Sequence, residues 1–380
     1  MRDLTARARW LAPTLACLAA LALAGCRDTG SSPTAIAPEI AAVRARPADV
    51  VVTPGHSIQA ALDGASPGAV IRIEPGVYAE AVTVSTPRIR IIGDGEPGQV
   101  VLENPGDEEN GILVTETGDH FSLANVTIRG FEENGALLDG VEHFLITDVV
   151  TEDNGEYGLF PVHSAFGLIQ RSSASGHSDT GIYVGQSRNV VIRESVAFGN
   201  VNGFEIENCS LVRLEDSEAY GNTAGILVVL LPGVDVGESA NIQVVRNHIH
   251  DNDLANFADP EDIAAAVPQG SGILVVGTDR TRVKFNTVTG NDFVGIGVGS
   301  TLLLGALGGL PPEAFADIEP NPDLVRIQHN VVTGNGDAPP PLPLPLPGVD
   351  LLWDGSGTNN CWGSNTFETS VPSPLPPCGA

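Results

Sequence analysis

The chain has 380 residues, with 44 glycines, 28 prolines, 42% hydrophobic residues and only 5% aromatic ones. A core is affordable, but it must be built from Val, Ile, Leu and Ala rather than from rings. Nineteen basic against 47 acidic side chains leave a net charge of −28, and Lys284 is the single lysine, so a phosphate-backbone partner is excluded and no nucleic acid is expected to bind.

In chain order, Arg2, Arg7 and Arg9 precede an apolar run from Trp10 to Ala24. The run is too short to span a bilayer and fits the apolar region of an export signal. It ends Leu23-Ala24-Gly25-Cys26, which resembles a bacterial lipobox. Residues 1–25 are therefore read as a lipoprotein signal peptide and Cys26 as the lipidation site, with membrane contact through lipid rather than a helix. Residues 26–50 read as a flexible linker. Arg27 follows the cysteine where an aspartate would signal inner-membrane retention, which points to the outer membrane, at its periplasmic face or the cell surface.

Ser57-Ile-Gln-Ala-Ala-Leu-Asp63 carries a helix start signal with apolar Ile58, Ala61 and Leu62, and is read as an amino-terminal cap leading to a first coil at Val70–Tyr78. A glycine followed by an apolar residue then recurs at Gly111, Gly135, Gly158, Gly181, Gly203, Gly225, Gly272 and Gly295, mostly in steps of 22 to 24. Two further markers keep the register: Ser172, Ser195, Ser217 and Asn286, then Asn154, His177, Asn200, Asn222 and Asn291. Between them run short alternating Val/Ile segments, and no leucine-rich-repeat frame is present. The predicted fold is all-β: a single-domain right-handed parallel β-helix over 51–368, of about nine or ten coils of 22–24 residues, with an N-terminal capping helix. Residues 369–380 are a Pro-rich C-terminal tail.

Stacking brings like positions together, so Asn154, Asn200, Asn222, Asn252, Asn291 and Asn335 should form a turn ladder, asparagine tolerating left-handed backbone and bonding along the stack. His177 occupies the same position and reads as a turn residue. Ser172, Ser195, Ser217, Asn247, Asn286 and Asn330 form a second, inward ladder. Near the end, Pro339–Pro347 is an extended excursion, and Trp353 with Asn359–Gly363 suggests an aromatic plug. Cys361 and Cys378 pair as a disulfide in an oxidising compartment, whereas Cys209 reads as a small buried residue.

The Ile73-Glu-Pro-Gly-Val-Tyr78 opening and the Gly-Ile-x-Val and Asn-x-Val repeats resemble the pectate-lyase-like right-handed β-helix superfamily. Four segments, Gly158–Val162, Asp179–Ser187, Gly199–Asn208 and Ala266–Leu274, more narrowly resemble a family of exported parallel β-helix repeat lipoproteins, from which no activity carries over.

Offsets +1 and +3 from each glycine are Ile or Val and point inward, so +2 and +4 face out. Phe160, Tyr183, Gln186 and Asn208 then fall on one face as carbohydrate-binding candidates, where rings stack on sugar and amides bond hydroxyls. Glu205, Glu207 and His163 are the candidate catalytic groups, with Tyr183 as an alternative base. Asp139, Glu205 and Glu207 are candidate ligands for calcium, the one cofactor considered. The alternative is that the rings merely cover the sheet and the two glutamates are a solvated strand. His248 and His250 alternate so as to share a face, a metal pair or ordinary surface. Extra residues near 231–238, 253–270 and 300–322 would wall the face on both sides.

The function expected is binding, with processing as a further step, of a polysaccharide along this face. The alternatives are a lyase or epimerase, a glycoside hydrolase, or a structural envelope lipoprotein docking a protein partner on its apolar column of Leu113, Leu137, Leu227 and Leu274. The face is short of arginine and lacks the Asp clusters of pectate lyases and the Asp-Pro-His-Glu motif of alginate epimerases.

Overall fold

The computed structural model describes residues 48–379. The signal peptide, Cys26 and all but the last of the linker lie outside them. Within them the chain winds as a right-handed parallel β-helix with three long sheets of twelve, eleven and ten strands. Each strand pairs in parallel with its counterpart one coil away, as in Asn202–Glu207 between Thr180–Gly185 and Ala224–Val229. The additional rungs are at the two ends, where the glycine marker is absent: strand Val50–Val52 pairs with Val70–Ile73, and Ser370–Val371 with Val349–Trp353.

Both ends are closed. Helix Ile58–Asp63 is capped by Ser57, which accepts from the Ala60 amide at 3.0 Å, and it buries Ile58 and Leu62 on the first coil. The Glu80 carboxylate sits at its first turn, accepting from the amides of Ile58 at 2.6 Å and Gln59 at 3.2 Å. At the other end the proline-rich tail folds back over the last coil. The Trp362 amide donates to the Pro376 carbonyl at 2.8 Å, the disulfide joins Cys361 to Cys378, and the Trp353 and Trp362 rings meet at 5.4 Å. Edges that would template aggregation are thereby covered.

The interior is a stack of aliphatic rungs flanked by polar ladders. Asn200, Asn222, Asn252 and Asn291 each donate their backbone N–H to the side-chain oxygen of the next ladder residue, at 3.0 to 3.2 Å. Their amide groups continue the chain at 2.8 to 3.1 Å. The expected left-handed backbone lies one residue earlier, at Asp153, Gly176, Gly199, Gly221, Asp251, Gly290 and Gly334. The turn is thus made by the residue before the asparagine, and the asparagine itself points in, where a buried amide N–H needs an acceptor. The second ladder repeats this scheme with Ser172, Ser195, Ser217, Asn247, Asn286 and Asn330.

A third ladder runs Ser164, Ser187, Cys209 and Ser239, and here the Cys209 sulfur accepts from the Ser187 amide at 3.4 Å. Burial pushes the Cys209 thiol up, which makes it an inert packing group. His177 holds its place in the asparagine ladder as a neutral imidazole, completely buried, with Nε2 3.2 Å from Thr151 Oγ1 and Nδ1 3.1 Å from the Asn154 carbonyl. Desolvation lowers its pKa to about 4.

Candidate functional site

The site is built on the outer face of the eleven-stranded sheet. Strict alternation along its strands breaks at the repeat glycine. A Cβ on Gly181 would point inward, 2.8 Å from Asn200 Nδ2 and 3.0 Å from the Gly203 carbonyl. The residue before the glycine therefore faces out together with offset +2. Tyr157, Thr180 and Asn202 occupy that preceding position on adjacent rungs, beside Phe160, Tyr183 and Glu205.

These residues converge. The Tyr157 hydroxyl donates to Asp179 Oδ2 at 2.6 Å. Thr180 Oγ1 lies 3.0 Å from Asp179 Oδ1 and 2.6 Å from Glu205 Oε2, and Asn202 Nδ2 reaches both carboxylates at 3.5 and 3.4 Å. Thr180 has one hydroxyl proton to give and two carboxylate oxygens to serve, so a proton on Glu205 completes the chain. The Tyr183 ring lies over Gly185, where any Cβ would collide with it, and its hydroxyl interacts with the Glu207 carboxyl. The rings of Tyr157, Phe160 and Tyr183 pack on one another with centroids 4.2 to 5.2 Å apart.

The electrostatics follow from three carboxylates with no cation beside them. Glu205 is 5% exposed, and its pKa is pushed well up by burial first, then by Asp179 and Glu207. Burial raises Glu207 to about 7, partly offset by the Tyr183 hydrogen bond. Asp179 is also shifted up by burial, against the bonds from Tyr157, Thr180 and Asn202. Both tyrosines are raised, by burial first and then by their acidic neighbours, so they are donors rather than bases. The outward positions of this sheet carry no arginine or lysine.

The insertions do more than wall the face. Leu227, Leu274 and Leu352 on the strands pack with Leu231, Val267 and Leu304 from the insertions as a second hydrophobic core outside the helix. The apolar column expected to face solvent or a protein partner is in this stretch covered by the chain's own loops: Leu227 is 3% exposed. What stays half-open lies below that cover, around Tyr157, Phe160, Asp179 and Glu207.

The sequence candidates sort accordingly. Phe160, Tyr183, Glu205 and Glu207 come together as expected, although Tyr183 is buried against its neighbours and unsuited to be a base. Asn208 is corrected: it is fully buried, its amide donating to the carbonyls of Leu231 at 2.8 Å and Val236 at 2.6 Å and accepting from the Leu231 amide at 2.7 Å. It holds the 231–238 insertion and offers nothing to a sugar. Gln186 does similar work, accepting from the Asp235 amide at 3.1 Å while remaining half-buried. His163, Gln186 and Asn208 all adopt left-handed backbone, at φ 51°, 48° and 47°, as turn residues beyond the strand ends. His163 is exposed and pairs with Asp139 at 3.0 Å, a bond that raises its pKa. Asp139 sits three rungs from Glu207, about 14 Å along the stack. The oxygen ligands nominated for calcium therefore do not converge on one ion. Tyr157, Thr180 and Asn202 escaped the sequence reading because the alternation was carried straight through the glycine, and Asp179 because offsets were counted only forward from it.

Residues 110–231 match the family model described as the right-handed beta helix region. No curated protein matches the chain. Among solved structures, the chain is similar to two mannuronan C-5 epimerase A-modules from Azotobacter vinelandii. One aligns at 15% identity and TM-score 0.58, covering 81% of this chain and 90% of that one. The other aligns at 16% identity and TM-score 0.55, covering 82% and 92%. DFA-IIIase from Arthrobacter chlorophenolicus, solved in complex with GF2, aligns at 13% identity and TM-score 0.51, covering 80% and 77%. The repeat that the family model matches over residues 110–231, and the coil architecture these structures share, agree with the right-handed parallel β-helix fold described above.

Proposed function

We propose that the chain binds and processes a polysaccharide on the outer face of the eleven-stranded sheet, by acid–base chemistry at Glu207 and Asp179. The observation that carries this reading is the buried carboxylate cluster itself. Three acids crowded together without a cation, their pKa values raised by burial, cost the fold stability, and such groups cluster at functional sites. Glu207, half-buried with a pKa of about 7, is placed to give a proton to a glycosidic oxygen near neutral pH. Asp179, held by Tyr157, Thr180 and Asn202, is the base that takes a proton from the water whose oxygen bonds the anomeric carbon as the glycosidic C–O bond breaks. Glu205 keeps its proton behind them and fixes Thr180. Phe160 supplies an apolar edge for a sugar ring.

The absence of arginine and lysine from this face, together with a net charge of −28, favours a glycan without uronate carboxylates over an anionic one. Likeness to mannuronan C-5 epimerases supports a polysaccharide as the substrate, while their polymer is anionic, so the preference for a neutral glycan rests on the charge of this face alone. The test is a panel of neutral and uronate polysaccharides incubated with the full-length protein. New reducing ends from a neutral glycan, without the unsaturated product of a lyase, are expected. Cleavage confined to uronate polymers overturns the reading.

Export and lipid anchoring at Cys26 complete the proposal, placing the site at the cell envelope. Cys26→Ala should move the protein from the detergent-extracted membrane fraction to the soluble one; unchanged fractionation rejects the anchor.

A further inference from the structure

On the outer face of the ten-stranded sheet, away from the carboxylate cluster, strand Glu218–Tyr220 pairs with His248–His250, Glu218 opposite His248. The eight-residue surplus of the 231–238 insertion lies between them in sequence, yet the register is kept. Among the described residues, this is the single group of three metal-ligating side chains whose donor atoms all lie within 4.8 Å of one another. Glu218 Oε1 is 3.3 Å from His248 Nδ1 and 3.2 Å from His250 Nε2. A tetrahedral ion held at about 2.05 Å by each ligand spaces them at about 3.3 Å, so Glu218 already stands at that separation from both histidines, and the two imidazole nitrogens lie within 4.8 Å of each other.

The surroundings fit a ligand set. Asp251 Oδ2 accepts from His250 Nδ1 at 2.7 Å, which fixes the ring with Nε2 turned towards Glu218 and is the outer-shell carboxylate that metal-bound histidines commonly use. Tyr220 stacks on His250 at 5.4 Å and Phe198 on Tyr220 at 5.3 Å, so the ring is held from behind. The histidine rings themselves stack at 4.2 Å, and the His248 side chain is 50% exposed, leaving the outer side open to a water ligand. Two imidazoles and one carboxylate suit zinc and its first-row neighbours, and not calcium, which asks for six or more oxygens.

We propose that Glu218, His248 and His250 bind one zinc-class divalent cation, clipping together two coils that a long insertion separates in sequence. Untagged full-length protein, stripped with chelator, would be titrated with Zn²⁺ by calorimetry and with Co²⁺ by visible absorption. Excess Mg²⁺ would occupy the general acidic surface. One equivalent should bind with the intense absorption of four-coordinate Co²⁺ and raise the thermal midpoint. Glu218→Gln, nearly isosteric, and His250→Ala should each weaken binding at least about tenfold, and Asp251→Asn by about 10–100-fold. Circular dichroism checks that the variants stay folded. Lack of saturable binding above the Mg²⁺ background, or equal affinity in Glu218→Gln and His250→Ala, overturns the site.

Discussion

Glu207→Gln is expected to lower glycan turnover by about 10²–10⁴-fold with little change in KM, the span usual for loss of a general acid. The amide keeps the shape of the side chain and its contact with Tyr183, so a fall in kcat alone is the signature of lost proton transfer. In the wild type, activity should decline as pH rises past about 7, where Glu207 loses its proton. Asp179→Asn should remove the opposite limb of the profile. A variant with normal kcat, or a wild-type profile flat from pH 5 to 9, rejects the assignment.

The same substitution should stabilise the protein in alkali. Glu207 has its folded pKa raised from 4.5 to about 7. Its stability contribution is therefore complete below the unfolded value and is lost as pH rises through the folded one. The full shift corresponds to about 3 kcal/mol, and partial exposure reduces this to roughly 1–2 kcal/mol. Glu207→Gln should match the wild type at pH 4.5 and exceed it at pH 8.5 by that amount in denaturant unfolding. Glu205→Gln should gain in the same direction, since its carboxyl is more deeply buried. His177 acts oppositely. Its folded pKa, lowered to about 4, supports the fold above its ordinary value and is a liability as pH falls. It is common to all three proteins and cancels in the comparison. Equal stability of variant and wild type at pH 8.5 would show that the cluster carries no electrostatic load.

The coil, its register and the capping elements were legible because they follow from local spacing: a marker repeated every 22 to 24 residues can be counted. The direction of each side chain was legible only as far as the strand stays regular. Gly181 turns inward, so Thr180 belongs to the outer face, whereas period-two counting through the glycine puts it inside. Exposure was legible least of all. Leu227 does point outward from the helix, but Val267 and Leu304, some 40 and 77 positions later, return to bury it. Such cover depends on how insertions fold back, and no local pattern encodes it. Asp139 shows a simpler failure: the face was right and the rung was not, since a shared offset fixes only the column.

Replacing Asn222 with leucine should cost roughly 3–5 kcal/mol, the largest single loss expected in the scaffold. The side chain is fully buried and serves both neighbouring coils. Its oxygen accepts from the Asn200 backbone at 3.0 Å and from the Asn200 amide at 3.1 Å. Its nitrogen donates to the Ala197 carbonyl at 3.0 Å and to Asn252 Oδ1 at 2.9 Å. Leucine has about the right volume but leaves the Asn200 N–H without its acceptor, and takes the side-chain donor from the Ala197 carbonyl, in a region that water does not reach. Asn222→Ser should lose less, because serine carries the equivalent backbone bond in the second ladder, where Ser217 accepts from the Ser195 amide at 3.2 Å. In a solenoid each coil is stabilised chiefly by its neighbours, so a break here should also divide the stack and broaden its unfolding transition. Denaturant melts followed by circular dichroism would rank the three proteins. A leucine variant within about 1 kcal/mol of the wild type would mean that the ladder bonds exchange with water at no cost, and that apolar rungs alone hold the coils in register.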